Sequence, residues 1–167
     1  MNRICASLFA LSLLAACTAG GLAPAESAPP PADTPASWTP PSEATRVLDP
    51  AGLQRLLANK GTTLQWIDWS LRGSVHARME GDTLRLTGTQ NQADGPGKLF
   101  FDGAVTEVGT GYFTFDGTIR ITDTPDRGRA CEADKLWHFA ITQNRPYYRL
   151  REFEWCDGLT DYVDIYF

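Results

Sequence analysis

The sequence predicts an all-β fold, an antiparallel up-and-down barrel or barrel-like sandwich of roughly eight strands preceded by one short helix. Three observations lead to this prediction. From residue 64 onward, apolar and polar residues alternate with a period of two, as in half-buried strands. Turn residues interrupt the alternation at short intervals. Apart from the one predicted helix, which lies before residue 64, the sequence contains no amphipathic segment of helical length. Eight such strands are enough to close a small barrel.

The helix is predicted at residues 50–59. Asp49 provides a side chain that can cap the first turn, and Pro50 suits the first helical position. Gly61 follows the helix and can adopt the left-handed conformation that often ends one. The apolar face consists of Leu53, Leu56 and Leu57. These signals make it the clearest helix in the chain.

The strands follow the helix in series. They are predicted at residues 64–71, 74–79, 83–89, 98–108, 112–122, 135–142, 146–156 and 160–167. Gly103 and Gly117 fall in mid-strand, where a curved sheet often needs a bend. In the final strand, Val163, Ile165 and Phe167 share one face. Because this strand needs a partner, we expect it to pair with the first strand and to close the barrel.

The N-terminal segment is typical of an export signal. Arg3 supplies a positive charge, and residues 4–14 form an apolar run, too short for an anchor that spans a bilayer with about 20 residues. The run ends in Leu14-Ala15-Ala16-Cys17, which resembles the lipobox of bacterial lipoprotein precursors. The resemblance implies that residues 1–16 are removed and that Cys17 carries several acyl chains, enough for stable anchoring. An ordinary secretory signal cut near Ala16 is the alternative.

Residues 17–45 are predicted to form a lipidated cysteine and a disordered linker. Seven of the chain's eleven prolines lie here, among alanine, serine and threonine. At about 3.1 Å per extended residue, the linker could hold the folded domain, residues 46–167, up to roughly 80 Å from the membrane. Thr18 replaces the aspartate that is associated with inner-membrane retention of lipoproteins. The resemblance therefore implies the bacterial cell envelope, with the lipid in the outer membrane and the domain in the periplasm.

The charge balance excludes one class of partner. After removal of residues 1–16, 14 basic and 20 acidic residues remain, a net charge of −6. Nucleic acid binding needs a basic footprint, so we expect no nucleic acid partner. The same balance disfavours electrostatic attachment to anionic lipid. The expected membrane contact is therefore the covalent lipid anchor.

One disulfide is predicted, between Cys131 and Cys156. Cys5 lies in the signal and Cys17 takes the lipid, which leaves this pair in an oxidising compartment. If residues 135–142 and 147–156 form a hairpin, the numbers of paired residues sum to 289. The numbers of Cys131 and Cys156 sum to 287, so a single β-bulge would place the two cysteines opposite each other. A two-cysteine metal site is the alternative, but the chain has only two histidines.

The search for catalytic residues identifies none. The sequence contains no serine elbow, phosphate loop, dinucleotide fingerprint or zinc-protease motif. His76 and His138 are interpreted as ordinary strand residues. Acidic residues crowd two segments that the disulfide would bring together: Asp123, Asp126, Glu132 and Asp134, and then Asp157, Asp161 and Asp164. Calcium is conceivable there, but solvated charge is the preferred interpretation, and we expect no metal and no cofactor.

Aromatic and arginine residues provide the candidate binding site. Tyr147, Arg149 and Arg151 share one face of their strand. Tyr162 and Tyr166 share the face of the last strand that is opposite its aliphatic residues. Such residues are enriched at binding surfaces. The complete candidate set is Trp69, Tyr147, Tyr148, Arg149, Arg151, Tyr162 and Tyr166. The alternative is that they only cover the outer wall of the barrel.

The leading hypothesis for function is a membrane-anchored envelope lipoprotein with a non-enzymatic binding domain. Its partner would be a small amphipathic ligand or an envelope protein. A second hypothesis is a hydrolase that acts on cell-wall or lipid substrates through carboxylates, and a third is a structural or assembly lipoprotein with a filled core. No motif of a named family is found in the folded domain, so the domain's partner and whether the barrel is hollow are left open.

Overall fold

The computed structural model describes residues 43–167. The predicted signal, Cys17 and nearly all of the predicted linker lie outside the described residues. The elements in chain order are β1 (Arg46–Val47), α1 (Pro50–Leu57), β2 (Thr62–Leu64), β3 (Ser74–Glu80), β4 (Thr83–Asn91), β5 (Lys98–Gly109), β6 (Tyr112–Thr122), β7 (Ala130–Ala140), β8 (Tyr147–Leu150) and β9 (Val163–Tyr166). Within the described residues, no helix has the length and hydropathy of a membrane span.

The described strands confirm the predicted fold class. The order of neighbouring strands is β2-β9-β8-β7-β6-β5-β4-β3, and these pairs are antiparallel. Thr62 and Gly73 then join the two ends of this series: Thr62 N donates to Gly73 O at 3.2 Å, and Gly73 N donates to Thr62 O at 2.8 Å. The sheet is therefore a nearly closed barrel with a single bridge at its seam.

A segment N-terminal to α1 is built into the barrel wall. β1 runs parallel to β5. The hydroxyl of Thr45 donates to Val105 O at 2.6 Å and accepts from Leu84 N at 2.7 Å, so it links β4 to β5 where their own pairing ends. Asp49 accepts from Ala51 N at 3.0 Å and caps α1 as predicted.

The interior of the barrel is filled by large side chains. Those that are fully buried include Phe101, Phe113, Phe115, Trp137, Phe139 and Tyr148. Gly103 and Gly117 face each other across β5 and β6. A Cβ atom on Gly103 would lie 2.2 Å from Asp116 O, so a side chain at this position cannot be accommodated. The carbonyl of Gly117 accepts a hydrogen bond from Trp137 Nε1 at 2.8 Å. Because neither glycine has a side chain, β5 and β6 can approach each other closely at this point.

The predicted first strand, residues 64–71, is wrong for most of its length. Only Thr62–Leu64 pairs with β9, and the chain then leaves the sheet. Ile67 N and Asp68 N donate to Leu64 O at 3.0 and 3.3 Å, which begins a turn. The predicted pairing between the last strand and the first strand after the helix is confirmed, because β9 pairs with β2.

The predicted strand at 146–156 also ends early, at Leu150. Arg151 N still donates to His138 O at 2.8 Å, but the next contact with β7 comes from a side chain, where His138 N donates to Glu152 at 3.1 Å. The bulge expected in this strand is therefore a strand end. The register of the hairpin is confirmed, since Phe139 pairs with Leu150. β7 begins at Ala130, five residues earlier than predicted.

Candidate binding face

An ion pair on the outer wall of β8 and β9 is the centre of the candidate site. Arg149 and Asp164 are direct neighbours across the two strands. Two guanidinium nitrogens of Arg149 donate to the two carboxylate oxygens of Asp164, each at 2.7 Å. Asp164 is 0% exposed. Hydrogen bonding to this carboxylate raises the pKa of Arg149, so the cation is held firmly.

Aromatic rings surround the guanidinium of Arg149. Its central carbon lies 4.1 Å from the ring centre of Tyr162, 5.2 Å from that of Tyr147 and 5.7 Å from that of Trp69. These distances are in the range of cation–π contacts. The rings come from three separate parts of the chain, namely β8, the residue before β9, and the turn after β2. Together they cover the ion pair from solvent.

The contacts continue along the wall in both directions. The rings of Tyr147 and Tyr166 lie 5.2 Å apart, and the guanidinium of Arg72 stacks on Tyr166 at 3.8 Å. On the other side, Phe153 packs 5.4 Å from Tyr162, and Arg151 lies 5.8 Å from Phe153. We call this surface the aromatic–arginine face. Arg145 belongs to it because its guanidinium carbon lies 5.9 Å from the ring centre of Tyr147. The face consists of Trp69, Leu71, Arg72, Arg145, Tyr147, Arg149, Arg151, Phe153, Tyr162, Asp164 and Tyr166.

The turn at residues 68–71 presents two apolar side chains to solvent. The side chain of Asp68 accepts from the backbone N–H groups of Ser70 and Leu71, the latter at 2.9 Å, and these bonds lower the pKa of Asp68. Trp69 is 47% exposed and Leu71 is 61% exposed. The hydrogen bonds of Asp68 hold the backbone in this turn, and the turn places both side chains in solvent.

One buried amide attaches this turn to the barrel. Gln90 Nε2 donates to Asp68 O at 2.9 Å and to Leu71 O at 2.7 Å, while Gln90 Oε1 accepts from Leu64 N at 2.6 Å. The Gln90 amide thus provides hydrogen-bond partners for one backbone N–H group and two backbone carbonyls in residues 64–71, where the chain leaves the sheet. The turn is held from beneath, which fixes the direction in which Trp69 and Leu71 project.

The structure brings together six of the seven candidate residues and separates the seventh. Tyr148 points inward and is fully buried, with its ring 5.2 Å from Phe113. Burial raises the pKa of Tyr148. Its inclusion in a surface site is therefore corrected: it follows Tyr147 in an alternating strand and faces the core. Sequence reasoning missed Leu71, Arg72, Arg145, Phe153 and Asp164 as members of the face. For Asp164, the shared strand face with Tyr162 and Tyr166 was a usable signal.

The disulfide between Cys131 and Cys156 is confirmed, and it does bring the two acidic segments together. Two of these carboxylates, Asp157 and Asp161, are bound by one arginine. Arg129 donates to both oxygens of Asp157 at 2.8 Å and to both oxygens of Asp161 at 2.9 and 2.8 Å. Asp161 and Asp164 are both 0% exposed, so the expectation of solvated charge is wrong for these two residues.

The arginine cluster joins the loops at this end of the barrel. Arg129 also donates to Thr124 O at 3.0 Å, and Trp66 Nε1 donates to Asp161 at 3.1 Å. The hydroxyl of Thr124 donates to Trp66 O at 2.9 Å. Three loops, at residues 65–72, 123–129 and 151–162, are therefore linked by side chains. They support the turn that carries Trp69.

A pH dependence follows from the Arg129 cluster. Hydrogen bonding from Arg129 holds the pKa of Asp157 at about 2, below its ordinary value of 3.8. Because the pKa is lower in the folded state, this carboxylate stabilises the fold above about pH 4, and we expect that stabilisation to disappear as the pH falls through 2. Urea unfolding measured between pH 5 and pH 2 checks this: Asp157→Asn should flatten the acid limb of the stability curve. Asp94→Asn, which removes a charge from another loop, should leave its slope as in the wild type.

Fold and site together define a class: a small all-β domain, closed almost completely as an antiparallel barrel, with one disulfide and an aromatic–arginine surface. The chain belongs to the PM1083 family, whose model matches residues 44–167. A relative described as uncharacterized protein PM1083, from Pasteurella multocida strain Pm70, is 30% identical over 115 residues. That alignment covers 68% of this chain and 74% of the relative. No solved structure matches this chain.

Proposed function

We propose that this protein is an envelope lipoprotein whose barrel domain is a non-enzymatic binding module, with the aromatic–arginine face as its binding surface. The observation that carries the proposal is the hydrogen-bonded turn that exposes Trp69 and Leu71 and places the Trp69 ring over Arg149, which is paired with the buried Asp164. Single exposed apolar side chains are common, but apolar and aromatic residues that lie together on one surface often mark a protein or membrane contact. A filled aromatic interior supports a site on the wall in preference to a site inside the barrel.

The buried carboxylates support binding in preference to hydrolysis. Asp164 accepts two hydrogen bonds from Arg149, and Asp161 accepts two from Arg129. A general acid or base must exchange a proton near the working pH. Burial raises the pKa of Asp164, but both of its oxygens accept hydrogen bonds from Arg149, so this carboxylate is poorly placed to exchange a proton with a substrate. The role of Asp161 and Asp164 is instead to fix the residues around them.

The proposed membrane anchor rests on residues 14–17, which resemble a lipobox. Replacing Cys17 with serine is expected to abolish both lipid attachment and the removal of residues 1–16, because the lipobox resemblance implies that cleavage follows lipid attachment. Fatty acid labelling of cells that express either form, followed by mass measurement of the protein, measures both effects. Cys5→Ser is the matched control, since this residue lies in the predicted signal and should not affect lipid attachment. Labelling of the Cys17→Ser protein at the wild-type level would contradict the proposal.

The binding surface is tested by cross-linking in intact cells. A photoreactive amino acid at position 69 is expected to form a covalent adduct with an envelope component. The same amino acid at position 136 is the control, because Leu136 is 57% exposed but lies on the outer wall of β7, outside the aromatic–arginine face. Adducts of equal yield from both positions would show that the face has no preference for a partner. Absence of an adduct at position 69 would also contradict the proposal.

A further inference from the structure

We infer that the partner of the aromatic–arginine face is the anionic lipid surface of the membrane to which the chain is attached. This inference rests on the proposed function and names its occupant. The face would not anchor the protein, which the lipid on Cys17 does. It would orient the tethered domain, so that one wall of the barrel lies against the lipid headgroups.

The first argument is the composition of the face. It combines one exposed tryptophan, one exposed leucine, tyrosines and arginines. Tryptophan and tyrosine prefer the interface between water and hydrocarbon, since their rings are amphipathic. Arginine can remain at the headgroups while an adjacent apolar side chain enters the acyl boundary. Trp69 and Leu71 project from one rigid turn, so both can enter without ordering a loop.

The second argument is the distribution of charge. Residues 43–167 carry 14 basic and 18 acidic side chains, a net charge of −4. Yet Arg72, Arg145 and Arg151 all lie on the aromatic–arginine face, and none forms an ion pair with a described carboxylate. The carboxylate of Asp164 within the face is neutralised by Arg149. Asp68, in the turn that carries Trp69, is a second carboxylate at this wall, so four arginines against two carboxylates leave a local net charge of +2. An acidic domain with one locally basic wall would turn that wall toward anionic lipid.

The third argument is the length of chain before the barrel. Between Cys17 and the first described residue, Glu43, there are 25 residues. A tether of this size keeps a lipid surface at high effective concentration around the domain. Even a weak intrinsic affinity for headgroups would then populate the docked orientation. A soluble partner has no such advantage.

The inference is tested with the full mature chain carrying Cys17→Ser, so that no lipid contributes to binding. Its sedimentation with vesicles of phosphatidylethanolamine and phosphatidylglycerol is compared with that on phosphatidylcholine vesicles. We expect binding to the anionic vesicles only. Leu71→Ser and Trp69→Ala should each weaken it, together by about tenfold. Changing Arg72 and Arg145 to glutamine should lower sedimentation with the anionic vesicles toward the level seen with phosphatidylcholine. Leu136→Ala should bind as the parent does.

Two results would overturn the inference: a parent chain that stays in the supernatant, or face variants that sediment as well as the parent. Leu71 lies outside the hydrophobic core, so Leu71→Ser gives an interpretable result even if Trp69→Ala fails to fold. The cross-linking from position 69 separates the two levels of the proposal. A protein adduct in cells without vesicle binding would retain the binding module and reject lipid as its partner. Failure of both measurements would reject the face as a binding surface.

Discussion

Replacing Arg149 with methionine is expected to lower the free energy of unfolding by about 3–5 kcal/mol. The substitution leaves the carboxylate of Asp164 without its two hydrogen bonds, in a position that is 0% exposed. An unpaired buried charge is among the most destabilising defects in a folded protein. The aromatic rings of Tyr147 and Tyr162 would also lose the cation on which they pack. Urea unfolding at neutral pH measures the effect.

Two further variants separate burial of the charge from loss of the side chain. Arg151→Met removes an exposed arginine of the same face and should change stability by no more than about 0.5 kcal/mol. The double variant Arg149→Met with Asp164→Leu removes both charges, so it should regain a large part of the loss. A single variant at position 149 that is as stable as the one at position 151 would show that the ion pair is not buried in solution.

Removal of the disulfide is expected to cost about 3 kcal/mol. Cys131 and Cys156 are separated by 25 positions, and the bond restricts that loop in the unfolded chain. In the folded state it also holds residues 151–162 against β7, where strand pairing has ended. We therefore expect the double serine variant to lose amide protection in residues 151–162 more than in β5 and β6. Equilibrium unfolding and hydrogen exchange, with and without reductant, measure both effects.

The two effects have different contradicting outcomes. A double serine variant with wild-type stability would mean that the loop is already restricted without the bond. Uniform loss of protection over the whole barrel would mean that the 151–162 segment is not an independent unit. The oxidised wild type, run in parallel, is the control for the serine variant. The reduced wild type separates loss of the bond from the substitution itself.

The strands from Ser74 to Thr122 were predictable, because they are joined by short turns and alternate regularly between core and solvent. The hairpin register of β7 and β8 was predictable for a similar reason, and the positions of Cys131 and Cys156 agreed with it. The 65–72 segment was not. Trp66, Ile67 and Trp69 resemble strand residues, but hydrogen bonds between the backbone and the side chains of Asp68 and Gln90 decide their conformation. Hydrogen bonds between side chains and the backbone cannot be predicted from the alternation of apolar and polar residues.

The candidate site was predictable in part. Alternation correctly placed Tyr147 with Arg149 on one strand face, and Tyr162 with Tyr166 on another. That these two faces adjoin depends on the pairing of β8 with β9, which the sequence only suggested through barrel closure. Tyr148 was included on composition alone, although alternation points it inward. The position of Arg72 on Tyr166 depends on the turn after β2, so it required the structure.

The seam of the barrel has a consequence for the order in which the chain folds. The strands from β3 to β7 form a meander of hairpins, each closing a short loop. Pairing of β2 with β9 joins residues about a hundred positions apart, as in the bond from Thr62 to Asp164 O. Contacts of such high sequence separation are slow, because loop-closure entropy is lost before they form. We therefore expect the meander to precede the seam, so that early intermediates contain most of the sheet and lack the aromatic–arginine face.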